Sequence, residues 1–332
     1  MKLRNYKKYI DFINFASILI FYVLKIYRDI SHLDFERTVV TVGSFDGVHC
    51  GHRMLLQRVV DLAAQHRLRS VVVTFWPHPR QTLNLADDTL QLLNTLDERI
   101  SLLEQTGIDD VVIFPFDKDL SQMSASAFIR DIIIAKLRTQ YMVVGQDHHF
   151  GKGRGGNVQL LPEIVSQNDL QVEVVDLKMI DQKISSSDIR KTLLCGDLLL
   201  ANKLLGYDYI ISGKVIGGNR LGRTIGFPTA NIETPRYKLL PKNGVYRVKV
   251  KTEDENQKSK IGMLYIGKRT MLKQEDTDVQ VEVYIFDFDQ QIYGQKITMS
   301  LTHRIRDDIR FGNVEQLATQ LQQDQEMIMT IS

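Results

Sequence analysis

The sequence predicts two different folds on one chain: an α/β half built on a parallel sheet, then an all-β half folded as an antiparallel barrel or sandwich. Three observations carry this. Strand-like apolar runs alternate with helix-period segments from Thr38 to about residue 187. After about residue 207, short alternating strands follow one another without intervening helices. The length of 332 residues, with 43% hydrophobic and 25% charged residues, fits two soluble globular domains.

In the first half, "TVVTVGSF" (38–45) reads as a buried strand, and "GHRMLLQRVVDLAAQHRL" (51–68) as a helix with Met54, Leu55, Val59, Leu62 and Ala63 on its apolar stripe. "SVVVTFW" (70–76), "DDVVIFPF" (109–116), "QYMVVG" (140–145) and "QVEVVDL" (171–177) are further strands. "TLDERISLLEQTG" (95–107), "SASAFIRDIIIAKL" (124–137) and "LLPEIVSQNDL" (160–170) are the intervening helices, Gly107 ending the first of them. Runs apolar on both faces, joined by helices, imply a parallel sheet covered on both sides. Ligands of such sheets bind beyond the carboxyl ends of the strands. "GSFDGVHCGH", "PHP" and "GQDHHFGKGRGG" all fall there.

Residues 188–206 read as a helical linker. In the second half, "YDYIISGKVIGG", "GVYRVKVKTE", "SKIGMLYIG", "DVQVEVYIFDF" and "QKITMSLTHRI" are strands separated by turn signals, and "NVEQLATQLQQDQEMI" is a closing helix. Residues 1–37 are expected to form a leader outside the folded domains. Its basic start and apolar run Phe12–Leu24 resemble a signal peptide, but no small-residue cleavage site follows, and the run is short for a membrane span. A net charge of +2 offers no field for nucleic acid or membrane, so neither partner is expected. Two cysteines, Cys50 and Cys195, make no disulfide framework, which points to the cytoplasm.

Two segments carry chemistry. In "GSFDGVHCGH", Gly43, Gly47 and Gly51 allow a tight turn, while His49 and His52 bracket a helix start that favours anions. The arrangement suits phosphate handling; the H-x-x-H spacing lacks the further ligands a metal site needs. Cys50, between the histidines, is expected to make this site sensitive to thiol alkylation. The second segment, "GKVIGGNRLGRTIGFPTANI" (213–232), joins a glycine-rich loop to a hydroxyl and an amide suited to Mg²⁺. It is not a Walker A loop, because no G-K-[ST] opens a helix.

These motifs resemble a known family. HxGH after the first strand is similar to the nucleotidylyltransferase superfamily, and the form "GSFDGVHCGH" resembles the bacterial bifunctional riboflavin kinase/FMN adenylyltransferase (FAD synthetase) family. "ISSSDIR" (184–190) matches the superfamily's second motif through Ser186, Ser187 and Arg190. "PTAN" (228–231) and "VEVYIFDFDQQIYG" (281–294) match the riboflavin kinase module. The resemblance implies a Rossmann-like nucleotidylyltransferase domain over 38–187 and a β-barrel riboflavin kinase domain over 207–332. It implies ATP-dependent phosphorylation of riboflavin to FMN, then adenylylation of FMN to FAD with release of pyrophosphate. The alternative is a riboflavin kinase whose first domain binds nucleotide without turnover.

By the same resemblance, His49, His52 and Arg190 act on phosphates and Glu282 is the general base of the kinase step. Thr229 and Asn231 hold Mg²⁺. Gly43, Phe45, Asp46, Gly51, Ser186, Ser187 and Asp147 line the first site, Asp46 either binding metal or fixing the loop. Gly213, Lys214, Gly222, Arg223, Pro228 and Arg306 line the second. His78 of the "PHP" loop is either a site residue or a loop former. Three departures stand out: His148 replaces an aromatic in "VGQDHHFG", "YIGKRTM" (265–271) stands where the family has "NIGxRPT", and the tail "THRIRDDIRFGN" (302–313) stands where it has "FLRDExKF", Arg306 and Phe311 keeping the register.

Overall fold

The computed structural model describes residues 24–31, 33–83, 90–146, 149–150, 156–157, 169–175, 184–218, 221–253, 258–268 and 279–331. The first half is a six-stranded, wholly parallel sheet in the order β1-β4-β3-β2-β5-β8. Its strands are β1 (Lys25–Tyr27), β2 (Thr38–Val42), β3 (Arg69–Trp76), β4 (Asp110–Pro115), β5 (Thr139–Gly145) and β8 (Gln171–Val175). The hairpin β6 (His149–Phe150) and β7 (Gly156–Asn157) lies apart from the sheet. Every residue of β2 is buried because both faces are covered. Val40 and Val42 pack with Val71, Val73, Phe114 and Ile133 on one side. Val39 meets Leu56, Val59 and Leu62 of helix α1 (Cys50–His66) on the other. The chain passes from β2 to β3 on one side and later adds β5 on the other. The carboxyl end of β2 is therefore a switch point, where such sheets open a ligand crevice.

Three details differ from the sequence reading. The sheet begins before Thr38: β1 pairs with β4, and Leu24 and Phe35 are buried in the core. The apolar stripe of α1 includes fully buried Leu56, whereas Met54 is only half-buried, because Leu56 and Val59 lie three apart on the inward face. The segment 124–137 is a short turn followed by a π-helix, Phe128–Ile134, closed by Ala135 N–H to Arg130 O at 3.1 Å. The wider turn sets Phe128, Ile129, Ile132 and Ile133 against the sheet together. The helix expected over 160–170 lies largely outside the described residues, as do residues 1–23.

Helix α2 (Leu96–Glu104) opens with a capping box between Thr95 and Glu98. Helices α3 (Ser186–Cys195) and α4 (Leu198–Leu205) join the halves, ending at the left-handed glycines Gly196 and Gly206. The second half is a closed antiparallel barrel, β10-β13-β12-β11-β14-β9. It is built from β9 (Tyr209–Ile216), β10 (Ala230–Glu233), β11 (Gly244–Lys251), β12 (Lys260–Gly267), β13 (Gln280–Ile285) and β14 (Lys296–Asp307). Alternate residues such as Val248, Leu264, Val281, Val283 and Met299 fill its interior. Helix α5 (Val314–Thr330) packs on the outside through Ile328 and Asp324. Among the described residues, no helix is long and apolar enough to cross a membrane.

The halves are joined by buried polar contacts. Lys238 Nζ is fully buried and donates to Leu93 O (2.6 Å), Ile210 O (2.6 Å) and Glu98 Oε2 (2.8 Å). Glu98 Oε1 accepts from Ser212 N–H of β9 (2.7 Å), and Leu92 bridges to Lys238 as an added strand partner. Breaking such a pair leaves an uncompensated buried charge. Lys238→Ala should therefore lower the unfolding free energy by about 3–5 kcal/mol. The double variant Glu98→Gln/Lys238→Met should recover a large part of the loss, and denaturant unfolding of all three proteins measures it.

Candidate active sites

The first candidate site grows from the end of β2. Residues 43–49 form a loop with three positive-φ residues in a row of four, Phe45 (φ 47°), Gly47 (φ 91°) and Val48 (φ 34°). The values at Phe45 and at β-branched Val48 are strained, and such backbone persists only when its surroundings fix it. Asp46 does the fixing. Its buried carboxylate accepts from Leu93 N–H and Asn94 N–H, each at 3.2 Å, and pairs with Arg190. Ser186 Oγ donates to Asp46 O at 2.8 Å, and Tyr207 OH donates to Gly47 O at 2.7 Å. The loop and the "SSSxxR" helix, some 140 residues apart in sequence, thus meet at one carboxylate.

His49 is the N-cap of α1, its Nδ1 accepting from His52 N–H at 3.3 Å. That bond places the His49 proton on Nε2, leaving a donor for an incoming oxygen. The two imidazoles stack with centroids 3.6 Å apart, and Phe45 meets His52 edge-on at 5.3 Å. A Cβ at Gly51 would come within 3.3 Å of the His49 ring, so glycine here leaves the imidazole room. Burial holds His49 down to about 4, with Arg190 adding to the shift and Asp46 opposing it. His52 is held well below its ordinary value by burial, then by His49 and Arg99. Both are neutral hydrogen-bonding groups at neutral pH.

His78 belongs to the same crevice. It is buried, accepts from Arg80 N–H at 3.2 Å, and is held down to about 4 by burial and by Arg99, Arg190 and Arg80 against Asp46. Asp46 accepts from Leu93 N–H, Asn94 N–H and Arg190, contacts that tie the loop down. Helix α3 is capped by Ser185, the first serine of the motif, and Ser187 is exposed beside it. Gly43 carries its N–H to Val73 O. The Cys50 thiol faces away from the histidines, toward Lys203 O at 3.6 Å and Gly206, and burial pushes its pKa up. Asp147 and His148 lie outside the described residues.

Sequence reading missed Arg99, Asn94 and Tyr207. Of nine buried side-chain atoms without a hydrogen-bond partner among the described residues, five surround this loop: His52 Nδ1, Arg53 Nη2, Asn94 Nδ2, and Nε and Nη2 of Arg99. Native proteins pair nearly all buried polar atoms, so such a concentration marks a place for a polar ligand.

The second candidate site lies on the outer face of the barrel. Asn231 of β10 pairs in register with Glu282 of β13, and Tyr265 of β12 pairs with Glu282 from the other side. Thr229 Oγ1 donates to Glu282 Oε2 at 3.3 Å. Val281 and Val283 point inward, which leaves Glu282 on the outer face. The glycine-rich loop folds onto this group: a Cβ at Gly218 would strike the Asn231 side chain, and one at Gly222 would strike Phe227 O. Gly213 and Lys214 are residues of β9, with Gly213 packed against Glu233 O. Arg223 and Pro228 are exposed beside the loop. Arg306 grips buried Asp324 of α5 at 2.8–2.9 Å and acts electrostatically on Tyr265, the register partner of Glu282. Hydroxyl, amide and carboxylate oxygens are the donors that hard cations such as Mg²⁺ prefer, so this group fits the ion.

An α/β half with a histidine-bearing phosphate loop, followed by a barrel with an acid beside hard-oxygen donors, defines a two-module nucleotide-dependent transferase. Comparison with known proteins sharpens this. The FAD synthetase family model matches residues 32–188, and the riboflavin kinase model matches residues 205–332. Bifunctional riboflavin kinase/FMN adenylyltransferases are similar across nearly their whole length. That of Listeria monocytogenes is 35% identical over 87% of this chain and 90% of its own. That of Escherichia coli K12 is 35% identical over 90% and 94%. A crystal structure described as a macrolide-efflux protein from Streptococcus pneumoniae superposes with a TM-score of 0.80 at 30% identity, covering 93% of this chain and 100% of that one. Its efflux description belongs to that protein; what the likeness adds is the shared two-domain fold. The chain belongs to the bifunctional riboflavin kinase/FMN adenylyltransferase family.

The buried histidines make stability depend on pH. The unfolded chain protonates them near 6.5, and the folded chain protonates His49 and His78 only near 4. Their contribution is therefore complete above pH 6.5 and is lost as pH falls toward 4, at up to about 1.4 kcal/mol per pH unit for each. His78→Asn should lower the slope of unfolding free energy against pH in that window by about one proton, measured by denaturant titrations at successive pH values. An unchanged slope would contradict the assignment.

Proposed function

We propose that the chain converts riboflavin to FAD in two ATP-dependent steps at two separate sites. The observation that carries this is the presence of both assemblies on one chain: the strained histidine loop clamped by Asp46 and Arg190, and Glu282 flanked by Thr229 and Asn231. The intact first assembly argues against a kinase-only reading.

In the barrel, Glu282 accepts the proton of the riboflavin 5′-hydroxyl as that oxygen attacks the γ-phosphorus of ATP, giving FMN and ADP. The glycine-rich loop, through Gly222, Arg223 and Pro228, covers the nucleotide, and Gly213 and Lys214 support it from β9. Thr229 and Asn231 would hold Mg²⁺, which when bound supplies charge neutralisation for the phosphates. Arg306 we assign to anchoring α5. At the sheet end, the FMN phosphate attacks the α-phosphorus of a second ATP, and the bond to the β-phosphate breaks to release pyrophosphate. His49 and His52 donate hydrogen bonds as neutral imidazoles to the phosphate oxygens, which demands geometry rather than proton transfer. Ser187 and the N-terminus of α3 extend the phosphate-binding edge, while Ser186 and Arg190 hold the loop in place. Asp147 belongs to the same site by its motif. Both cysteines are free thiols, as suits the cytoplasm.

Two substitutions separate the steps. Glu282→Gln should lower FMN formation from riboflavin by about 10²–10⁴-fold and leave FMN-to-FAD conversion within about twofold. His49→Asn should do the reverse. Chromatographic separation of the flavins measures both, and loss of both activities in either folded variant would refute the two-site assignment.

A further inference from the structure

Arg99 of α2 is a charge that the assemblies above leave unexplained. Its side chain is fully buried beneath the carboxyl ends of β2 and β3. Nη1 donates to Thr74 Oγ1 (3.3 Å) and Phe75 O (3.5 Å), and Thr74 Oγ1 in turn donates to Ser44 O of the histidine loop (3.4 Å). The guanidinium stands 5.8 Å from the Trp76 ring centroid. Nε and Nη2 have no hydrogen-bond partner among the described residues.

Among the described residues Arg99 also makes no ion pair, and the neighbouring acids are committed elsewhere. Asp46 is taken by Arg190, and Glu98 on the same helix is taken by Lys238. With these pairs cancelling and the histidines neutral, one buried positive charge remains at the sheet end among the described residues. A buried charge without a counter-charge is costly, whereas a fixed cation aimed at an arriving anion is the device by which sites prepare for charged ligands.

We propose that Arg99 is a phosphate-positioning residue of the adenylyl-transfer site, its counter-charge being a phosphate of bound ATP or FMN. The arginine fork suits this better than lysine would, because one edge is anchored on β3 while two N–H donors remain for the anion. Through Thr74 the same side chain steadies the loop at Ser44, so the phosphate and the histidines are set against one frame. The inference rests on the adenylyl-transfer reading.

The test uses the full chain, starting from FMN and ATP and varying each in turn. Wild-type protein must first form FAD; if it forms none, the adenylyl-transfer reading fails and this inference with it. Given that activity, Arg99→Met should raise the KM of one substrate at least tenfold, with riboflavin phosphorylation within twofold of wild type. A rise for ATP assigns the nucleotide phosphates, and a rise for FMN assigns the flavin phosphate. Arg99→Lys, which keeps the charge but loses the fork, should give a smaller rise of at least threefold. A purely structural arginine predicts a lower Tm with both KM values unchanged, and that result overturns the proposal. Should Arg99→Met fail to fold, Arg99→Lys decides alone: a threefold rise supports the proposal and two unchanged KM values overturn it.

Discussion

One buried carboxylate holds the first half of this molecule in working shape. Asp46 sits in a loop that contains two non-glycine residues at positive φ, a conformation the chain would abandon without external support. Two backbone N–H groups and Arg190 supply that support from segments far away in sequence. The loop then presents His49 and His52 as a stacked, neutral pair at the start of a helix. Remove the carboxylate and three things lose their common anchor: the loop, the α3 motif and the strap around residues 91–95.

That strap also ties the two modules to each other. Its N–H groups face Asp46, while its carbonyl at Leu93 accepts from Lys238 of the barrel half. Glu98, just beyond, closes the capping box of α2 and holds both Lys238 and the backbone of β9. β9 carries Gly213 toward the glycine-rich loop of the second site. A short chain of buried polar contacts therefore runs from one candidate site to the edge of the other. The low dielectric of the interior makes each link strong when satisfied and expensive when broken.

Much of this was legible in the sequence. Continuous valine runs announced strands covered on both faces, and β2, β3, β4, β5 and β8 stand where they were expected. The histidine loop could be singled out from its glycines and paired histidines, and the PTAN segment and Glu282 from their match to the riboflavin kinase module. What escaped notice did so for physical reasons. β1 is three residues long and two of them are exposed, so its burial pattern carries no periodicity. Arg99 and Lys238 look like surface charges in their local context; each is buried only because a segment distant in sequence covers it. Thr95 and Glu98 form a local capping box, but nothing local reveals that Glu98 also serves the barrel. The left-over charge on Arg99 emerges only after the other pairs have been matched in three dimensions.

The central claim is that two consecutive reactions run on one chain. The most direct measurement follows the flavins over time after mixing the purified full-length protein with riboflavin, ATP and Mg²⁺. The account predicts that FMN rises first and then falls as FAD accumulates, with one pyrophosphate released per FAD. A reaction that stops at FMN, or leaves riboflavin unchanged, would contradict it.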